Sequence, residues 1–501
     1  MHLHDLKQRT IRGGLAKLLG QVANFALRLG FIVTPARFLD AADFGLVAMV
    51  TAVTGIFPIF ASAGLSSAAV QQEHVTDEQI SGLFWFNILV GAVLGILSVV
   101  IAPILCYFYQ EPRLFWIMVA MSAGFVISAA GVQHNALLQR HLRYDELTAI
   151  EVLSQLLGIA VGITMAIDGF AYWALVGWTI VVQATGTVLV WLTAAWIPSR
   201  PRRRAGIRPL LRFGGTITLN ILVVYIAYNF EKVLLGRFWG ADALGVYGRA
   251  YQLVNLPVDN LNSAVGGVAF SALSRIQNDR TRLKSYFING YSLLISMTIP
   301  FALYVIIFAD DLVMVVLGPK WTEAAPILRL LAPIIFVFGI INPLGWLLYS
   351  IGLQGRSLRI AIVIAPIVIT AYVIGLPYGP RGVALAYSVA MTLWMVPHLV
   401  WCTHNTIVSL QDLLRSMFRP CAASIIAAAG TFGLVYYFGQ PSSALVRLIA
   451  GGGVMMPGYL FLLLFVFGQI TFYRKLVGEL KGGPSEIPDW PLVADAESVR
   501  Q

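Results

Sequence analysis

The first apolar stretch of the chain carries Lys17, Gln21, Asn24 and Arg28, spaced 4, 3 and 4 residues apart. That spacing puts all four on one face of a helix. A charge at the centre of a bilayer costs about 2.5–3.5 kcal/mol on insertion scales. Asn24 and Arg28 are therefore expected to face a cavity, whereas Lys17 is close enough to the interface to snorkel. An arginine and an amide on one polar face hold oxygen acceptors, and the arginine prefers an anionic one.

A second set lies two hundred residues on. Asn220, Tyr228 and Glu231 fall within one broad sector of another apolar helix, followed by Asn229 and Lys232. Glu231 and Lys232 lie near the end of that helix, where snorkelling is cheap. Arg249 and Asp259 lie in the next apolar stretch, beyond easy reach of the interface for at least one of them. Arg249 is expected to contact an anion; for Asp259 an internal ion pair and a ligand role stand level. Glu151 reads first as an interfacial charge and second as a protonatable coupling group.

The elements that position these residues follow from composition. The chain has 501 residues, 58% apolar and 12% charged, against about 25% charged in soluble domains. Apolar runs of roughly 18–25 residues recur along its length, the signature of membrane helices. A spanning backbone in hydrocarbon must satisfy its own hydrogen bonds, and the runs lack the alternation of a transmembrane barrel. The net charge of +10 is distributed between the apolar runs, so it reports topology and not nucleic-acid binding. Cys106, Cys402 and Cys421 lie in or beside apolar segments, and the seven histidines are scattered. No disulfide framework, metal site or cofactor is expected. Lys17, Arg28 and the length of the first run argue for a retained helix, not a cleaved signal.

About 14 spans are read. The first half has them near 13–36, 44–70, 80–108, 114–138, 147–167 and 171–197. The second half has them near 210–236, 243–273, 285–308, 323–350, 357–376 and 382–404, with two more near 412–438 and 444–472. The organisation expected is 1–200 as a first lobe, 201–409 as a second, 410–475 as two additional spans, and 476–501 as a disordered tail. A cytoplasmic N-terminus puts most of the 34 lysines and arginines on the inner side, including Arg200, Arg202, Arg203 and Arg204. The even span count then puts Arg474 inside as well. The basic connector at 199–212 is read as a topology anchor, with an anionic lipid or cytoplasmic partner as the sharper alternative.

The halves are repeats. Arg37, Phe38, Ala41 and Gly45 recur as Arg237, Phe238, Ala241 and Gly245, an offset of 200. Gly169, Ala174 and Leu175 recur as Gly379, Ala384 and Leu385, an offset of 210. Six spans per copy give both copies the same orientation, and parallel repeats of this kind place a substrate path between them. Prolines such as Pro58, Pro103, Pro257, Pro300, Pro333, Pro343, Pro366 and Pro397 interrupt the spans. They are either fixed bends or hinges. The phosphate-loop pattern of ATP hydrolysis is absent, and no loop brings together a nucleophile, a base and an orienting group.

Ala36-Arg37-Phe38-Leu39 with Asp43-Phe44-Gly45-Leu46-Val47-Ala48-Met49 is one signature stretch. Leu138-Gln139-Arg140-His141-Leu142 leading to Glu151 is another. Gly236 and Arg237 with Gly240, Leu244, Gly245, Tyr247, Ala250, Tyr251 and Pro257 form the third. On these the chain resembles the Wzx-type, colanic-acid-exporter-like polysaccharide transporters of the multidrug/oligosaccharidyl-lipid/polysaccharide flippase superfamily, over roughly residues 10–475. Relatives commonly have Asp where this chain has Glu231.

The resemblance implies an all-α membrane protein, two six-helix lobes around a central cavity with two additional C-terminal helices, in the bacterial inner membrane. It implies a flippase moving undecaprenyl-diphosphate-linked oligosaccharide by alternating access, not an enzyme. Its partners would be the lipid-linked oligosaccharide, membrane lipids and other polysaccharide-assembly proteins, with no nucleic acid and a monomeric state. Arg28 and Arg249, with Lys232, would hold the diphosphate; Asn24, Tyr228 and Asn229 would contact sugars. Glu231, Asp259 and Glu151 are the ion-coupling candidates. The alternatives are a drug or cation antiporter or a lipid II flippase of the same fold, a membrane glycan polymerase or ligase, and a non-transporting scaffold. Cationic residues count against the first, and short outer loops against the enzyme.

Overall fold

The computed structural model of the chain describes residues 30, 33–57, 76–141, 143–200, 215–276, 279–437 and 443–474. Among them every regular element is a helix. In chain order these are α1 (Ala41–Thr54), α2 (Asp77–Tyr109), α3 (Leu114–Arg140), α4 (Tyr144–Ile167) and α5 (Trp173–Ala194). There follow α6 (Gly215–Arg275), α7 (Arg280–Ile307), α8 (Ala309–Val316), α9 (Ala324–Leu331) and α10 (Pro333–Ser350). The last four are α11 (Gln354–Gly375), α12 (Gly379–Thr403), α13 (Leu410–Tyr437) and α14 (Ala444–Phe461). Nine segments among the described residues are long and apolar enough to cross a membrane.

The surface confirms which solvent these helices meet. On α2, Leu89, Val93, Ile96, Val100 and Ile104 recur at helical spacing, and each exposes more than half of its surface. The opposite face buries Phe84, Asn87, Gly91, Leu94 and Ser98. Apolar outside with polar inside inverts the pattern of a water-soluble helix and fits lipid.

Local chemistry sets the ends. Thr76 caps α2: its hydroxyl accepts from the Gln79 N–H at 3.3 Å, and the Gln79 side chain accepts from the Thr76 N–H at 3.1 Å. This is a reciprocal capping box, with Asp77 and Glu78 in the positive first turn. Pro333 at the first position of α10 separates it from α9. Where two spans and a connecting loop were expected between 210 and 273, the chain stays helical through α6 except at Gly240. Gly240 has φ +83° and ψ −177°, a conformation that only glycine adopts without strain. One residue therefore makes the kink where sequence reading reserved a loop. The short helix α8 was also not anticipated; eight residues are too few for hydropathy periodicity to reveal.

The chain divides into two compact units, Met1–Gly248 and Arg249–Gln501, with the boundary inside α6. Within the first, α2 packs on α3, and α3 and α4 on α5. Within the second, α7 packs on α10 and α13, and α11 on α12. Polar groups on or next to α7 fasten the C-terminal helices. Lys284 pairs with Asp412 at 2.7 Å, and Arg447 with Asp311 at 2.6 Å. The Tyr459 hydroxyl donates to the Ser296 carbonyl at 2.7 Å.

Candidate functional site

In the first unit α1 runs antiparallel along the first part of α6. The register is fixed at three levels. Gly45 meets Ala241, Met49 meets Gly236, and Thr51 meets Tyr225. At the first level the contact is reciprocal. A Cβ on Gly45 would collide with the carbonyl of Ala241, and a Cβ on Gly245 would collide with the carbonyl of Ala41. The two sides of this crossing are the residues that recur at an offset of 200. Backbone-to-backbone approach of this kind needs a residue without a side chain, as in close helix pairs within membranes.

The face of α6 towards α1 carries a hydrogen-bonded ladder. The Tyr225 hydroxyl donates to the Thr51 carbonyl at 2.9 Å. The Asn229 amide donates to the Tyr225 carbonyl at 2.9 Å and accepts from the Lys232 ammonium at 2.6 Å. An ammonium has three donors, so two of Lys232's remain for other acceptors. Tyr228 is half-buried on the same stretch.

Glu231 faces another direction. It is fully buried, in line with buried Ala227 and Leu235, and neither carboxylate oxygen has a hydrogen-bond partner among the described residues. Its sequence neighbour Lys232 is turned towards Asn229 instead. A carboxyl buried this way is costly unless it is neutral, so it is fit to carry a proton.

At the α2–α3 turn, Arg113 holds Glu111 through two hydrogen bonds at 2.8 and 2.9 Å. That guanidinium holds the Glu111 carboxyl below the ordinary glutamate range. Asp43 accepts from the Tyr172 N–H at 3.1 Å, tying the start of α1 to α5. Arg237 lies over two rings, 5.8 Å from the Phe108 centroid and 5.9 Å from that of Phe238.

In the second unit Arg249 is half-buried on α6, among the buried Ala250, Tyr251 and Val254. Asp259 is exposed, two positions beyond Pro257. Glu151 is exposed on α4 in the first unit. Asn24 and Arg28 lie outside the described residues. The structure thus brings Asn229 and Lys232 into one ladder and sets Glu231 apart from them.

Sequence reading overlooked Tyr225, whose hydroxyl ties α6 to α1. It also overlooked Asn87 and Gln133, fully buried amides on α2 and α3 with no hydrogen-bond partner among the described residues. Amides inside apolar runs were the available signal.

The fold and these intramembrane polar groups define a multi-pass α-helical membrane protein built from repeats. It shares the fold of a solved structure, lipid II flippase MurJ in an inward closed conformation. The TM-score is 0.74 at 17% identity, over 93% of this chain and 100% of that one. Residues 35–326 match the family described as polysaccharide biosynthesis protein, and the chain belongs to that family. It is 27% identical to the teichuronic acid biosynthesis protein TuaB of Bacillus subtilis, over 81% of this chain and 85% of TuaB. It is 25% identical to the succinoglycan biosynthesis transport protein ExoT of Rhizobium meliloti, over 92% of this chain and 93% of ExoT.

Proposed function

We propose that the chain is a flippase that carries an undecaprenyl-diphosphate-linked oligosaccharide across the bacterial inner membrane by alternating access, without changing the glycan. Both termini are cytoplasmic in this reading, and the monomer is the working unit. The observation that carries it is the reciprocal crossing of Ala41 and Gly45 with Ala241 and Gly245. Two copies of one unit meeting through equivalent residues supply a contact that can part and re-form, as alternating access requires. Family membership and a transport protein among the relatives support the same reading.

The cargo joins an anionic diphosphate to a polar glycan and an apolar tail. Arg28, Arg249 and Lys232 would hold the diphosphate, because guanidinium and ammonium donors match phosphate oxygens. Asn24, Tyr228 and Asn229 would meet sugar hydroxyls. Among the coupling candidates Glu231 is favoured over Asp259 and Glu151, since it is buried and they are exposed.

The test is movement of a fluorescent undecaprenyl-diphosphate oligosaccharide in proteoliposomes. Wild type should expose the cargo to the opposite leaflet with its glycan length unchanged, and folded Arg249→Ala or Arg28→Ala should lose most of that movement. An altered glycan would point to an enzyme. Absence of movement under an imposed proton or sodium gradient, with a matched glycan, would sink the reading.

A further inference from the structure

The α2–α3 contact in the first unit contains a polar level that its repeat counterpart lacks. Gly91 of α2 lies against Ala129 of α3, and the ring of Phe84 lies 6.0 Å from that of His134. Numbers fall on one helix as they rise on the other, so the pair is antiparallel. Asn87 is four residues from Gly91 and Gln133 four from Ala129, in the same direction along the pair. Both therefore sit about 6 Å from the Gly91 contact, on facing stripes of the two helices. Asn87 exposes 1% of its surface and Gln133 0%. Their side-chain nitrogens and oxygens are all buried, and none has a hydrogen-bond partner among the described residues. The two amides share one level without bonding to each other.

The second unit shows that the packing does not require them. Leu137 and Leu138 of α3 recur as Leu347 and Leu348 of α10, an offset of 210. The same offset takes Ala129 to Gly339 and Gln133 to Pro343. Gly339 lies against Thr298 of α7, as Ala129 lies against Gly91. Thr298 is thus the counterpart of Gly91, and Leu294, one turn earlier, that of Asn87. Leu294, Thr298, Gly339 and Pro343 line one cavity. The Thr298 hydroxyl donates within its own helix, to the Leu294 carbonyl at 3.0 Å. The level that carries two amides in one copy is therefore apolar in the other. A buried amide without a partner is less stable than an apolar residue in its place, so the pair serves something other than the packing.

The chemistry of the pair selects its ligand. Two amides offer two oxygens that accept and two NH2 groups that donate, with no formal charge. Asp77, Glu78 and Arg140, the acidic and basic residues of α2 and α3, lie at the helix ends. Neither helix supplies a charge to balance an ion at this level, and an uncompensated ion is strongly disfavoured in an apolar interior. Water both donates and accepts, and a buried water is held by two to four polar partners.

We infer that Asn87 and Gln133 form a hydration site inside the first unit, holding buried water between α2 and α3. One repeat is wet at the level where the other is dry. The site is independent of the transport reading, and its test needs no cargo.

Full-length protein in lipid vesicles, with its asparagine and glutamine side chains labelled with 15N, would be followed by solid-state NMR. Magnetisation should pass from water protons to the side-chain amides of both Asn87 and Gln133. In Asn87→Leu the transfer to Gln133 should be mostly lost, because the water has lost half of its partners. Transfer to neither amide of the wild type, or to one alone, overturns the shared site, and this reading needs no variant to fold.

Melting temperatures give a second measurement. If water joins the amides, Asn87→Leu and Gln133→Leu should each lower the melting temperature, and the double variant should lose less than the sum. If the amides are dry, each replacement should raise it, which overturns the site. Stabilisation of the wild type by sodium or potassium chloride over choline chloride, absent in the double variant, would make the occupant a cation and overturn water as the ligand.

Discussion

Gly45 rests against the backbone carbonyl of Ala241, and Gly245, its counterpart two hundred residues later, rests against that of Ala41. The relationship is a local two-fold within one chain. It predicts that Gly45→Ala and Gly245→Ala have matching effects. Each added methyl has backbone, not a movable side chain, in its way, so the helices must separate. Overpacking of this kind costs about 1–3 kcal/mol. Disulfide formation between cysteines placed at Ala41 and Ala241 should fall in both variants. An effect in one variant but not the other would show that the two sides are not equivalent.

Glu231 is predicted to tolerate neutralisation and not truncation. Glu231→Gln keeps the volume and removes the charge, so the melting temperature should hold or rise, because an unpaired charge is costly to bury. Glu231→Ala leaves a hole and should destabilise by about 1–3 kcal/mol. If Glu231 carries the coupling proton, Glu231→Gln should also abolish any dependence of transport on a pH gradient. Retained gradient dependence in a folded Glu231→Gln would remove Glu231 from that role.

The Arg447–Asp311 pair fastens α14 to α8, with side chains 22% and 12% exposed. Removing either partner leaves a half-buried charge without its mate. Arg447→Ala and Asp311→Ala should each lower the melting temperature, and the double variant should lose less than the sum. A coupling energy of about 1 kcal/mol is expected from a double-mutant cycle. Additive losses would mean that the pair contributes through packing alone.

Glu111 gives a pH dependence of known sign. Hydrogen bonding from Arg113 lowers its folded value below the ordinary one of about 4.3. Its stabilising contribution is therefore complete above the ordinary value and is lost as pH falls through the lower, folded value. Glu111→Gln should flatten the acid limb of the stability profile below about pH 5 and leave neutral stability almost unchanged, since the pair is partly exposed. A steep loss at neutral pH would contradict the assignment.

Much of the architecture was legible in the residues. Apolar runs separated by basic connectors determine a multi-pass helical chain, because an unpaired backbone cannot lie in hydrocarbon. The recurrence of Arg37, Phe38, Ala41 and Gly45 at an offset of 200 announced two copies of one unit. Glu231, Lys232 and Arg249 stood out because charge is expensive inside an apolar run.

What the sequence could not determine is how those residues use their neighbours, and the tertiary structure decided it. Glu231 and Lys232 are adjacent in the chain and look like an interfacial pair. A helix turns each residue about 100° from the last, so Lys232 reaches Asn229 while Glu231 is buried without a partner among the described residues. Asn229 reads as a free amide until Tyr225 and Lys232 are seen to occupy it. Gly45 and Gly245 read as matching letters. Only packing makes them the two sides of one contact, because closeness of backbones is a property of how helices cross and not of any residue alone.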